Sequence, residues 1–179
     1  MSLIQSTLLT AFLLLLAGGS LLLKPAAVEA RAKAFPRSIV AAIIVFGGAS
    51  AWFLLVHVAN LGPADFGEYR KILFAGFAAV ALLSFFYVPD FLAVRGVAAL
   101  TLLFAAEVLQ SAYGMPEASR LFLVGFIYLA ILLALYLAAV PYRLRDFFDW
   151  LFARTKRARI VGSVLAAYGV LLGLTSGVL

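Results

Sequence analysis

The chain has 179 residues, 66% hydrophobic and 12% charged, with no cysteine, a mean hydropathy of +1.13 and a formal net charge of +6. Soluble domains are about 45–50% apolar and about 25% charged, so this composition excludes a soluble enzyme, a disulfide scaffold, a disordered chain and a nucleic-acid-binding domain. Two-thirds of the chain, laid out in spans of roughly 20 residues, matches about six membrane crossings, and the Lys/Arg excess reads as an orientation signal.

Uncharged runs cover 1–23, 38–64, 72–89, 121–142 and 160–179, and a further run, 96–116, is broken only by Glu107. Each can cross about 30 Å of hydrocarbon as a helix rising about 1.5 Å per residue. Lipid offers no partner to a backbone N–H or C=O, which favours helices, and the alternation of a barrel strand is missing. The expected fold class is an all-α integral membrane protein. Six transmembrane helices in three hairpins are expected over about 3–23, 38–60, 70–88, 94–113, 119–140 and 159–178, as one transmembrane domain over 1–179.

The first run lacks the basic n-region of a secretory signal and carries its positive charges after the apolar stretch, so it reads as a first span. The connection behind it opens at Pro25 and holds Lys24, Arg31, Lys33 and Arg37. The second span carries the only histidine, His57, close to Asn60, and the next connection holds Arg70 and Lys71. Imidazole ligates haem iron or chlorophyll magnesium, but a lone histidine on an apolar helix is more often hydrogen-bonded structure. Arg95 precedes the fourth span, which contains Glu107 with Gln110 and Ser111 three and four residues on. A carboxylate inside a span is costly unless paired or facing a polar cavity. A structural pair with Arg70, Lys71 or Arg120 is the leading expectation for Glu107, ahead of a proton, ion or substrate role.

The fifth connection has its own pattern. Leu144, Phe147, Phe148, Leu151 and Phe152 recur at helical spacing, with Arg145, Asp146, Asp149 and Arg154 off that stripe and Trp150 beside it. An interfacial amphipathic helix over about 142–154 is expected, its apolar face toward acyl chains. Trp150, Arg154, Lys156, Arg157 and Arg159 then form a belt that reads first as a positive-inside anchor and second as a site for anionic headgroups or a partner. The first and fifth connections share a plan of proline (Pro25, Pro141), basic amphipathic stretch and final arginine (Arg37, Arg159), which reads more readily as two cytoplasmic loops than as a duplicated hairpin. The last span places Gly162, Ala166, Gly169, Gly173 and Gly177 at helix-packing spacing, with Gly18 and Gly19 or Gly47, Gly48 and Ser50 as the mating surface.

Lys and Arg number eleven on the side of the first, third and fifth connections and three on the other. The positive-inside rule makes the first side cytoplasmic, with both termini outside. No HExxH, P-loop or GxSxG occurs, so zinc hydrolysis, P-loop phosphoryl transfer and Ser–His–Asp chemistry lack their residues. The leading functional expectation is a non-catalytic integral membrane subunit or scaffold in a bacterial cytoplasmic membrane. Its expected partners are other membrane subunits or copies of itself, and lipids, with anionic ones in view; no cofactor and no metal site are expected. The alternative is a small oligomeric transporter or channel with Glu107 near the path. A weaker alternative is a haem or chlorophyll carrier using His57.

Overall fold

The computed structural model describes residues 2–178, and the chain there is helical, with no strands among the described residues. Eight α-helices follow in order: α1 (Leu3–Leu23), α2 (Pro25–Ala34), α3 (Ile39–Trp52), α4 (Arg70–Tyr87), α5 (Leu92–Ala112), α6 (Arg120–Ala139), α7 (Tyr142–Phe152) and α8 (Thr155–Thr175). Extended through its irregular end to Asn60, α3 is one of six helices long and apolar enough to cross a membrane. These six point to an integral membrane protein. The span boundaries agree with the sequence to within a few residues, except at α8, which begins a turn early and carries Lys156, Arg157 and Arg159 in its first turns.

Local chemistry accounts for the helix ends. Ser2 caps α1 in a reciprocal capping box with Gln5, and Ser38 accepts from the Ala41 N–H to start α3. Pro25 sits at the first position of α2, where its missing N–H costs nothing. The sequence expectation had not made α2 a helix. It follows directly on α1 and pairs with α7 through Lys33, which lies 2.8 Å from Glu29 and 3.7 Å from Asp149.

Packing does not follow the three sequential hairpins. The most extensive seam joins α1 to α8, and the next join α3 to α5 and α5 to α6. Neighbouring residues fix the helix senses. Gly169 faces Ala11 and Leu14 while Gly162 faces Gly18 and Leu21, so α1 and α8 run antiparallel. Gly96 of α5 backs onto Phe46 of α3, and the pair below it, Ala42 with Leu92 and Ala93, follows the same register; these helices are therefore parallel. Both relations fit long helices that alternate in direction along the chain. They also bring the start of α1 and the end of α8 to one end of the bundle, and α2 and α7 to the other. Under a duplicated hairpin, the α1–α8 seam would have its counterpart between α3 and α6; α3 instead packs on α5.

The α1 seam residues Leu3, Thr7, Thr10, Leu14, Gly18 and Leu21 are buried and recur every three or four positions. Hydroxyls are tolerable there because each finds a local carbonyl: Thr7 donates to Leu3 O and Thr10 to Ser6 O, both at 2.8 Å. The opposite extreme is α4, which has no buried residue. It touches α3 through two edge-on ring pairs, Phe46–Phe85 and Phe53–Phe77.

Candidate functional site

The structure divides the expected polar strip on α5 between two environments. Ser111 turns to α1, where its hydroxyl lies 2.9 Å from that of Ser6 in a buried hydrogen bond. Ser6 has no charge or motif to announce it; the signal available was its place on a leucine-rich span four residues before Thr10. Gln110 is exposed, and Glu107 is half-buried.

Glu107 has no ion-pair partner among the described residues. The expected pairing with a basic residue at the same end does not form, and the reason lies with those residues. Arg120 donates to the Ala112 carbonyl at 2.6 Å and Arg70 to the Ala59 carbonyl at 3.3 Å. Each closes a helix end whose last carbonyls have no intrahelical donor. Capping thus takes the guanidinium groups away from the carboxylate.

His57 and Asn60 lie where α3 loses its regular ladder. Phe53–His57 forms a π turn and Val58–Asn60 a 3-10 turn. Asn60 donates to both Leu55 O and Val56 O at 3.0 Å, satisfying carbonyls that the irregular turns release. The Nε2 atom of His57 is closed off and has no hydrogen-bond partner. Packing of α3 beside α5 meets the condition for a shared pocket. Phe46 sits against Gly96, so His57 and Asn60 lie toward the same end of this helix pair as Glu107 and Gln110. No hydrogen bond joins His57 to Glu107. Two further buried groups lack partners in the α5–α6 connection, Glu117 Oε2 and Ser119 Oγ, and neither stood out in the sequence.

The glycine face of α8 is shifted from the expected one. A Cβ on Gly18 would lie 2.6 Å from backbone atoms of Gly162 and Ala166, and one on Gly162 would lie 2.9 Å from Gly18 O. Gly162, Ala166 and Gly169 therefore do meet α1, but Gly173 and Gly177 have no neighbour within 4 Å of a Cβ. A stripe of residues four apart drifts round the helix, whereas the antiparallel seam uses a repeat nearer three and a half; Leu172 takes the place given to Gly173. Gly19, Gly47 and Gly48 are equally open, and the tight contact of α3 is made by Gly96, which the sequence reading passed over.

The amphipathic helix α7 ends at Phe152, and Arg154 stands just before α8 without a side-chain capping bond. Its apolar stripe does not face acyl chains throughout. Leu151 is buried with Leu21 and Ala158, and Phe148 and Phe152 pack on that cluster. Phe147 and Trp150 remain exposed. Arg157 stacks over the Trp150 ring at 5.0 Å and donates to Trp150 O at 3.0 Å, so this part of the basic belt holds α7 to α8.

Between α1, α5 and α6 lies an apolar cavity of about 360 Å³ lined by Leu13, Leu14, Phe104 and Phe126, among others. Thr10 and Thr101 also line it, but both hydroxyl protons go to carbonyls of their own helices, Ser6 O and Val97 O. The cavity therefore offers no uncommitted donor. No group of three or more metal-ligating residues occurs among the described residues. No family model matches the chain, and no curated protein or solved structure proved similar to it.

Proposed function

We propose that the chain is a non-catalytic integral membrane subunit or scaffold that assembles with other membrane proteins or with copies of itself. The observation that carries this reading is α4. A span with no buried residue, held to α3 by two aromatic pairs and by the Arg70 hydrogen bond to Ala59 O, leaves most of its surface for an external partner. Gly47 and Gly48 on α3, Gly76 on α4 and Gly173 on α8 are open, so a neighbouring helix can approach them closely. In this reading the membrane is the bacterial cytoplasmic one, with the basic end inside and both termini outside. A reporter fused after Leu179 is then periplasmic and one near Trp150 cytoplasmic; the reverse pattern overturns the orientation. The decisive assembly test is mild-detergent purification of a Gly47→Leu, Gly48→Leu double variant. Retained folding with loss of co-purifying subunits or self-association supports the proposal, and unchanged assembly with α4 variants equally silent removes it.

A second reading, a small transporter or channel, is favoured by one specific observation. An unpartnered imidazole nitrogen lies in a π turn of α3, toward the same end as the unpaired Glu107 on the adjoining α5, and π turns occur often at functional sites. Against it, the central cavity is walled by hydrocarbon and spent hydroxyls. Proteoliposome flux abolished by Glu107→Gln with assembly intact would establish transport in place of the scaffold. A haem or chlorophyll role for His57 has no such supporting observation.

A further inference from the structure

The elbow between α6 and α7 contains a cleft of about 270 Å³ lined by Leu133, Tyr136, Leu137, Leu144, Phe147 and Arg143. Its walls are hydrocarbon and aromatic ring apart from one guanidinium and one phenol. Arg143 has no acidic partner among the described residues, because the acidic groups of α2 and α7 are taken: Glu29 and Asp149 by Lys33, and Asp146 by Arg145 at 2.9 Å. The nearest aromatic support for Arg143 is the Tyr142 ring, 5.7 Å from its Cζ. The cleft sits where a spanning helix turns into an amphipathic one with exposed Phe147 and Trp150, the depth at which headgroups meet acyl chains.

We infer that this elbow is a binding site for one anionic phospholipid, its phosphate on Arg143 and an acyl chain in the cleft beside Leu133, Leu137 and Phe147. Charge complementarity selects the occupant: a purely apolar ligand leaves the arginine unpaired, and a small anion leaves the cleft unfilled. Arg143 is exposed at the rim of the cleft, and a guanidinium binds a phosphate through two parallel N–H donors. The site differs from the Trp150–Arg157 belt, whose arginine is engaged within the chain. The inference requires residence in a bilayer but not the scaffold role, so failure of either leaves the other standing.

The test is lipid titration of the detergent-purified full chain, read by native mass spectrometry and by the shift in melting temperature. Phosphatidylglycerol should bind and stabilise in preference to phosphatidylcholine, and inorganic phosphate alone should do neither. Arg143→Gln should weaken phosphatidylglycerol about fivefold, as the loss of one interfacial cation implies. Arg145→Gln should not, since that residue is paired outside the cleft, and Leu133→Trp should displace the lipid by filling it. Equal response to the two lipids on the unaltered protein overturns the inference without any variant. So does an unchanged phosphatidylglycerol affinity in Arg143→Gln or in Leu133→Trp, or a matching effect of phosphate alone.

Discussion

The α1–α8 seam and the α3–α4 flank are built from similar residues to opposite ends. Both have glycines, leucines and hydroxyls on long apolar helices, yet one is closed to the limit of backbone contact and the other is held by ring edges. In the seam, the small residues of the two helices coincide: Gly18 falls against Gly162 and Ala166, and dispersion contacts run along the whole interface. On the flank, Gly47 and Gly48 have no partner, and α4 buries nothing. A glycine in a span therefore signals close packing only when a second small surface arrives in register, and no single helix carries that information.

The strongest way to break the contrast is to fill the seam. Gly18→Leu and Gly162→Leu place side chains where backbone atoms already lie 2.6–2.9 Å from a Cβ. Backbone cannot give way as a flexible side chain can, so the cost is at or above the usual overpacking range, about 3 kcal/mol or more. Loss of monodisperse protein or a large fall in detergent melting temperature checks it. Gly173→Leu, further along the same helix and open to a Cβ, should leave the isolated chain's stability unchanged; if it destabilises as Gly162→Leu does, the assigned seam is wrong.

Gly96→Ala comes next. Its Cβ would stand 2.5 Å from Phe46 N, prising α3 from α5 at an expected cost of about 1–3 kcal/mol. The variant also sharpens the comparison, because α3 ties the loosely held α4 to the rest. Hydrogen exchange should quicken in α3 and α4 while α1 and α8 stay protected. Uniform quickening would show that seam and flank open as one unit.

How far the sequence could be read follows the same divide. The six long apolar helices and the segregation of basic residues between them are legible because a lipid core would forbid charge and unpaired backbone over a fixed thickness. Helix α2 is not legible in the same way, because its ten residues carry no strong apolar stripe; its helicity rests on Pro25 at the first position and on contact with α7. The glycines at 162 and 169 were found from spacing, whereas 173 and 177 were included by extrapolating a repeat that the seam does not keep. For Glu107 the arginines were correctly placed at the same end, but the competing claim of free helix carbonyls on those arginines cannot be seen without the fold.

Glu107→Gln has a smaller expected effect and a definite sign. With Arg120 and Arg70 committed to carbonyls, the substitution breaks no ion pair and removes a half-buried carboxylate. Stability should be unchanged or raised, by about 1 kcal/mol at most, since the amide keeps some of the desolvation cost. A clear loss in melting temperature would restore the structural pair. A preserved fold then makes any loss of flux interpretable.

The smallest effect belongs to Lys33, the contact between the two short helices at the basic end. The hydrogen bond that Lys33 donates to Glu29 raises its pKa above the usual 10.5, opposed by desolvation and aided by the charges of Glu29 and Asp149. A raised folded-state pKa means that the stabilisation is fully present below the unfolded value and is lost as pH climbs through the folded one. Any pH effect should therefore appear only above about pH 10.5 and never on acidifying through neutrality. Both partners are exposed, with lysine and Asp149 side chains 41% and 59% accessible, so solvent and salt screen the contact heavily. Lys33→Met should leave the melting temperature within error while increasing spin-label distance spread between α2 and α7. A substantial loss of stability at neutral pH would mean that α2 anchors the bundle, and the divide between a tight seam and a loose periphery would have to be redrawn at that end.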